Sequence, residues 1–418
     1  NLMEKVTFPN GLRVLMEKQD HVRSVSFGFW IKSGSAYETA AENGVSHFME
    51  HMAFKGTAEK SARQIAEEMD AIGGQMNAYT AKEYTCYYGR TLTEHLEKAF
   101  SILAGMVTRP KLDPGDIQTE KSVIMEEISM TEDMPEDRVV ENQYAGVWRK
   151  SSYGRPILGT RESLRRIGRG ELKRVLRKRY SPDRVVAAVC GNFCREQFLE
   201  LAHRFFGGQR KGPALVDDCR MAYTRSCVLQ EEDQEQTHIC LCLPGLDSLS
   251  PQLQPLNVLN LVTGGSTSSR LFQRLREELG LAYSVDSGTT AYLSGGLFEI
   301  QTAVSPETAE RTVEEILKTL EELKTGVSPT EFSRAREQLK AGLVMGMEST
   351  SSRVGHMGRN ELLKGRVLTE DELLERINSV TIEEVNQVAS HIFDLSRLSV
   401  SVVGPKLNPS FYEAIGGV

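Results

Sequence analysis

The chain has 418 residues, with 40% apolar and 26% charged side chains and a net charge of −7. That length gives room for two or three domains with real cores, and the composition excludes collagen-like, disordered and disulfide-scaffold classes. The acidic balance argues against a nucleic-acid partner, and no apolar run approaches the roughly 18 residues that a membrane helix needs.

The first elements read as a hairpin. Val6 to Phe8 and Leu12 to Leu15 flank Pro9-Asn10-Gly11, a strong turn signal. Val25, Phe27, Phe29 and Ile31 recur at period two and predict a half-buried strand. Helical spacing follows over residues 44–54, 61–72, 93–107 and 114–131. The second of these repeats Ile65, Met69 and Ile72 and stops at Gly73-Gly74. Strands are predicted over 75–80 and 84–88, the second with β-branched and aromatic content. The seven cysteines contain no CxxC pair, which reads as buried thiols in a reducing compartment.

An internal repeat organises the chain. Arg184 to Gly191 and Arg397 to Gly404 align at one offset. Glu162 to Ile167 resembles Glu372 to Ile377, and Pro114 and Pro329 each open a helix at nearly the same offset. Ordered matches of this kind indicate duplicated domains. The predicted fold class is therefore α+β, two homologous domains from an internal duplication. The domains are placed at 1–212 and 219–418. The Gly- and Pro-rich stretch from Gly207 to Asp218 is read as the linker.

Residues 47–51 read His47-Phe48-Met49-Glu50-His51. On a helix, i and i+4 share a face, so both imidazoles can reach one ion. Glu50 lies beside them, within reach of a water at that ion. Val45, Met49 and Met52 form an apolar stripe that presses the opposite side into the core. Asn43 is expected to cap this helix and Gly56 to end it. A catalytic zinc needs a third protein ligand. In the helix opened by Asp113-Pro114, Glu120 and Glu127 are seven apart on one face with Val123 and Ile124, whereas Glu126 points to a wet side. Glu127 is thus the expected third ligand, and Glu120 the carboxylate that orients a ligand or supports the water.

The segment from Gly44 to Thr57, with its inverted HxxEH motif, resembles the active-site segment of the M16 (pitrilysin-type) zinc metallopeptidases. The likeness lies in the branch of the mitochondrial processing peptidase β subunit and its short bacterial relatives, and covers essentially the whole chain. Glu127 falls where the family's third ligand lies. The resemblance implies one zinc per chain, held by His47, His51 and Glu127, with Glu50 as general base. It implies mostly antiparallel sheets of the LuxS/metallohydrolase-like kind. Arg276 and Tyr283 of the second half match the family's pair that contacts substrate backbone. Asn77, Ala78, Tyr79 and Thr80 match its substrate-binding edge strand, which takes peptides in extended conformation. Phe48 and Phe54 are placed as candidates to shape a side-chain pocket. The glycine-rich stretch at Gly264-Gly265 lacks the lysine and spacing of a phosphate loop.

The expected function is a zinc-dependent endopeptidase or oligopeptidase that cleaves unfolded or presequence-like peptides inside a two-domain chamber. The alternative is a non-catalytic, structural subunit of a processing-peptidase-like complex. The resemblance also implies a homodimer, or a heterodimer with an inactive homologue. No Arg-rich, acid-poor leader opens the chain, so the expected location is the bacterial cytoplasm, with the mitochondrial matrix as the alternative.

Overall fold

A computed structural model describes residues 2–217 and 219–416. Asn1, Asp218, Gly417 and Val418, which include the outermost residues of the two expected domains and the end of the expected linker, lie outside the described residues. The chain divides into two units. Unit 1 comprises Asn1–Ile128, Arg155–Cys219 and Gly346–Val367, and unit 2 comprises Ser129–Gly154, Arg220–Met345 and Leu368–Val418.

Unit 1 is built on six strands: β1 (Glu4–Thr7), β2 (Arg13–Lys18), β3 (Ser24–Ile31), β4 (Gln75–Thr80), β5 (Thr85–Leu92) and β6 (Val185–Gly191). Their order is β1-β2-β6-β3-β5-β4, antiparallel except for the β2–β6 pair. The Asn10-Gly11 turn closes the β1–β2 hairpin, with Gly11 at φ 93°. Helices α1 (Val45–Ala53), α2 (Ala62–Ala71), α3 (Leu96–Thr108) and α4 (Pro114–Asp133) follow the expected spans closely. Their apolar residues close over one sheet face, where Phe27 and Phe29 meet Phe100 of α3 at 5.8 and 5.2 Å between ring centres.

Strand β3 departs from the half-buried expectation: Val25 through Ile31 are buried on both faces. The second face, with Leu15, Trp30, Cys86 and Cys190, is covered by the helix Thr350–Lys364. Gly358 of that helix lies so close to Trp30 that an added Cβ would sit 2.1 Å from the indole. Arg353 of the same helix forms a two-pronged pair with Glu17, and Thr350 shares a hydrogen bond of 2.8 Å with Ser26.

Unit 2 repeats the plan with β7 (Cys227–Glu231), β8 (Thr237–Pro244), β9 (Ala282–Tyr292), β10 (Gly295–Val304) and β11 (Ser399–Gly404), ordered β7-β11-β8-β10-β9. Again one pair, β7–β11, is parallel. The matched segments of the repeat are equivalent elements. Arg184 and Arg397 end short turns before β6 and β11, and Pro114 and Pro329 open helices. One sheet face carries the apolar core and the other is covered by α5 (Pro135–Val147). Gln143 of α5 donates to the carbonyls of Cys240 and Ser399, and Ser401 donates to that of Val139. Arg138 forks onto Glu232 at 2.6 and 2.5 Å.

The expected division into continuous halves therefore needs correction. Helix α5 belongs to the unit of the second half, and the helix Thr350–Lys364 to that of the first. Each helix lies on a sheet that its own half does not build. Residues 207–226 carry no helix or strand among the described residues. Four cysteines (86, 190, 240 and 242) are buried, while Cys194 is exposed and Cys219 and Cys227 are half-buried. No described helix is long and apolar enough to cross a membrane.

Candidate metal centre

Helix α1 buries Val45, Phe48, Met49 and Met52 and turns His47, Glu50 and His51 away from that stripe. Asn43 does not cap it. The N-cap is Gly44, at φ 97°, where an added Cβ would meet the Leu158 carbonyl at 2.7 Å. The backbone N–H groups of Gly44 and Ser46 donate instead to the buried carboxylate of Glu38, at 2.9 Å each. A carboxylate there satisfies two orphan donors and opposes the positive end of the helix dipole. Asn43 serves this arrangement indirectly, its amide donating to Glu38 and to the Pro156 carbonyl. Gly56 lies beyond the helix, which ends at Ala53.

The two imidazoles stand 4.6 Å apart between ring centres. Nε2 of His51 is 2.9 Å from Oε1 of Glu127, and Nε2 of His47 is 3.6 Å from Oε2 of the same carboxylate. One donor atom from each of His47, His51 and Glu127 falls within 4.8 Å of the others. Burial, and then the neighbouring His51, pushes the His47 imidazole down to about 3, so the ring is neutral, as a ligand must be. Its Nδ1 is buried with no hydrogen-bond partner among the described residues. Two neutral-capable imidazoles and one carboxylate are a donor set that zinc takes, and the set leaves a fourth position for water.

Glu120 is buried, and its Oε2 meets Nδ1 of His51 at 2.8 Å, a contact of the kind that orients a metal-ligating histidine. Ile124 on that helix is buried, whereas Val123 is exposed, so the apolar face shared with the two carboxylates is narrower than expected. Glu126 is exposed. Two partners escaped sequence reasoning. Lys55 sits 3.2 Å from Oε1 of Glu120, and its position four residues after His51 was a usable signal. Glu38 is remote in spacing and gave none.

Glu50 lies on the same side, and the Thr80 hydroxyl donates to its Oε1 at 3.4 Å. Burial pushes the Glu50 carboxyl up and the Glu127 charge adds to this, while His51 and Thr80 hold it down.

Thr80 ends β4, the edge strand of its sheet, pairing only with β5 among the described strands. The four expected substrate residues split by alternation. Ala78 packs toward the core side with α1, and Tyr79 faces the opposite side, where its hydroxyl meets that of Tyr84 at 2.9 Å. Asn77 is exposed.

Phe48 corrects the expectation of a pocket residue. It is 0% exposed, in the core beneath α1, because the helical spacing that presents His47 and His51 turns position 48 inward. Phe54 is only half-buried, at the end of the same helix. In unit 2, the Arg276 guanidinium lies 4.9 Å from the Tyr283 ring centre and 5.0 Å from that of Phe272. Tyr283, near the start of the edge strand β9, is 80% exposed. The stretch after Gly264-Gly265 leads into a short helix capped by Ser269.

Residues 13–161 match the family model "Insulinase (Peptidase family M16)", and residues 166–339 match "Peptidase M16 inactive domain". The chain is 41% identical to the uncharacterized zinc protease YmxG of Bacillus subtilis, over 94% of this chain and 96% of that protein. It is 36% identical to an uncharacterized zinc protease of Streptomyces coelicolor, over 96% and 90%. Among solved structures, a protease from Helicobacter pylori superposes with a TM-score of 0.91 at 20% identity, covering 97% of this chain and 99% of that one. A peptidase M16 inactive domain from Pseudomonas fluorescens gives 0.91 at 21%, over 97% and 98%. At such identities these two likenesses speak for the fold.

Proposed function

The chain belongs to peptidase family M16 and is by that kinship a zinc protease, and from this premise we propose that it is an endopeptidase or oligopeptidase acting on extended peptides, with Glu50 as its general base. The supporting observation is the contact from Thr80, on the free edge of β4, to Glu50, on the face of the two histidines. It joins the strand that would pair with a peptide backbone to the group that would move the proton.

His47, His51 and Glu127 would hold zinc, which when bound would supply Lewis-acid chemistry to a carbonyl and lower the pKa of water. The chain's own side chains do the rest. Glu120 holds the Nδ1 proton of His51, so Nε2 presents its lone pair. Glu50, pushed up by burial, accepts the proton of the attacking water and returns it to the leaving amine. The edge of β4 holds the substrate by backbone pairing, which tolerates varied side chains. The exposed Arg276 and Tyr283 serve as donors to the peptide's carbonyls.

An internally quenched peptide, assayed beside zinc content, tests this. Glu50→Gln should keep its zinc and lose about 10²- to 10⁴-fold in kcat/KM, the usual worth of a general base. Zinc-loaded wild type that cleaves no peptide, or a Glu50→Gln variant that cleaves as well as wild type, would refute the reading.

A further inference from the structure

Glu120 is buried among the apolar residues of α4, with Ile117 and Ile124 one turn to either side. A carboxylate in such a place needs a partner for each oxygen, because an unmet buried charge is costly. Oε2 has His51 Nδ1 at 2.8 Å, and Oε1 has the Lys55 ammonium at 3.2 Å. Among the described residues, Glu120 is the ion-pair partner that the Lys55 side chain has. Lys55 follows His51 by four residues, and the chain keeps turning past the end of α1. Phe54 N–H donates to the His51 carbonyl and Lys55 N–H to that of Met52. Local geometry thus carries the ammonium to the side of α1 that His51 occupies.

We propose that Lys55 is a positioning residue of the metal centre. Its ammonium occupies Oε1 of Glu120, which commits Oε2 to His51 Nδ1 and keeps Nε2 turned toward Glu127. Without the ammonium, Glu120 has one unsatisfied buried oxygen and a carboxylate free to rotate. The His51 ring then loses the acceptor that fixes its tautomer and angle. This inference rests on the zinc reading above and deepens it, adding a link beyond the ligand-orienting carboxylate.

The sign of the effect is diagnostic. By charge alone, a cation beside a divalent-metal site repels the metal, so its removal should tighten binding. Positioning through Glu120 requires the opposite.

The test titrates zinc against a chromophoric chelator in full-length wild type, Lys55→Met, Lys55→Arg, Glu120→Gln and the Lys55→Met/Glu120→Gln double variant. Apo-protein melting and the visible spectrum of the cobalt-substituted forms are recorded alongside. Lys55→Met should weaken zinc about tenfold or more, the usual loss when such an outer partner is removed. It should shift the cobalt bands in the direction that Glu120→Gln shifts them, with apo melting near that of wild type. Lys55→Arg should restore most of the affinity. The double variant should lose no more than Glu120→Gln alone, since Lys55 acts through that carboxylate. If Lys55→Met does not fold, Lys55→Gln takes its place in the cycle. Zinc affinity in the neutral variant equal to or above that of wild type overturns the proposal, as do losses that add in the double variant. Wild type that binds no zinc overturns the zinc reading itself, whereas zinc-binding wild type matched by Lys55→Met overturns only the role of Lys55.

Discussion

At the scale of single residues, the grouping of His47, His51 and Glu127 was legible because it follows from local spacing. HxxEH places two imidazoles and a carboxyl on one face by helical spacing alone, and the seven-residue step from Glu120 to Glu127 does the same on a second helix. Phe48 was misplaced for a related reason: it adjoins His47 in sequence, but a helix sends neighbours about 100° apart, and position 48 went into the core. Tyr283 offers a clean separation of function from stability. With 80% of its surface exposed, its hydroxyl supports no packing, so Tyr283→Phe should alter stability by less than about 0.5 kcal/mol. If its hydroxyl donates to a developing oxyanion, kcat/KM should drop by about tenfold or more. Peptide cleavage and urea unfolding of the same preparation decide this. Unchanged cleavage would remove Tyr283 from the substrate site, and lost stability would make it a structural residue instead.

Secondary-structure elements were read well where one chain segment decides its own fate, and less well where a distant group intervenes. The spans of α1 to α4 followed from apolar spacing. The cap of α1 did not, because Glu38 reaches its N-terminus from outside the spacing of any capping motif and displaces the expected Asn43. The helix Pro329–Gly346 shows a similar anchoring at its start. Arg270 forks onto Glu331 at 2.8 and 2.9 Å, and Ser328 N–H donates to the same carboxylate. The Arg270 hydrogen bond, with help from Ser328, pulls the Glu331 carboxyl down to about 2. A depressed folded-state pKa stabilises the fold above the ordinary carboxylate pKa of about 4.5, and this support fades as the pH falls toward 2. Since both side chains are partly exposed, solvent screening reduces the contribution to about 1–2 kcal/mol. Glu331→Gln should therefore unfold at lower urea than wild type at pH 7, and the gap should close as the pH approaches 2. A gap of equal size at both ends of that range would show that the loss is steric, not electrostatic.

The whole molecule holds what periodicity could not reveal. The duplication itself was visible, since Pro114 and Pro329 open equivalent helices and Gly191 and Gly404 end equivalent strands, in sheets that share the order of five strands (β2-β6-β3-β5-β4 and β7-β11-β8-β10-β9). The exchange of α5 and the helix Thr350–Lys364 was not, because an apolar stripe says that a helix has a buried face but not which sheet buries it. It also explains why β3 is buried on both sides when its alternation suggested one. The exchange has a mechanical consequence. Each unit owns a helix that reaches it from the other half of the sequence, held by an Arg–carboxylate fork (Arg138 with Glu232, Arg353 with Glu17) and by close packing at Trp30. Hydrogen bonds to charged groups contribute about 1.5–3 kcal/mol each, and burial of a large side chain adds a similar amount. Cutting the linker should then leave the halves together. Limited trypsin at the exposed Arg210 and Lys211 should give two fragments that co-elute from gel filtration in native buffer and part only in urea. The second half produced alone should fail to fold, because without α5 the sheet face with Cys240, Ser401 and Val403 has no cover, and co-production with the first half should restore it. Fragments that separate as two folded species in native buffer would mean that neither exchanged helix contributes what its contacts suggest.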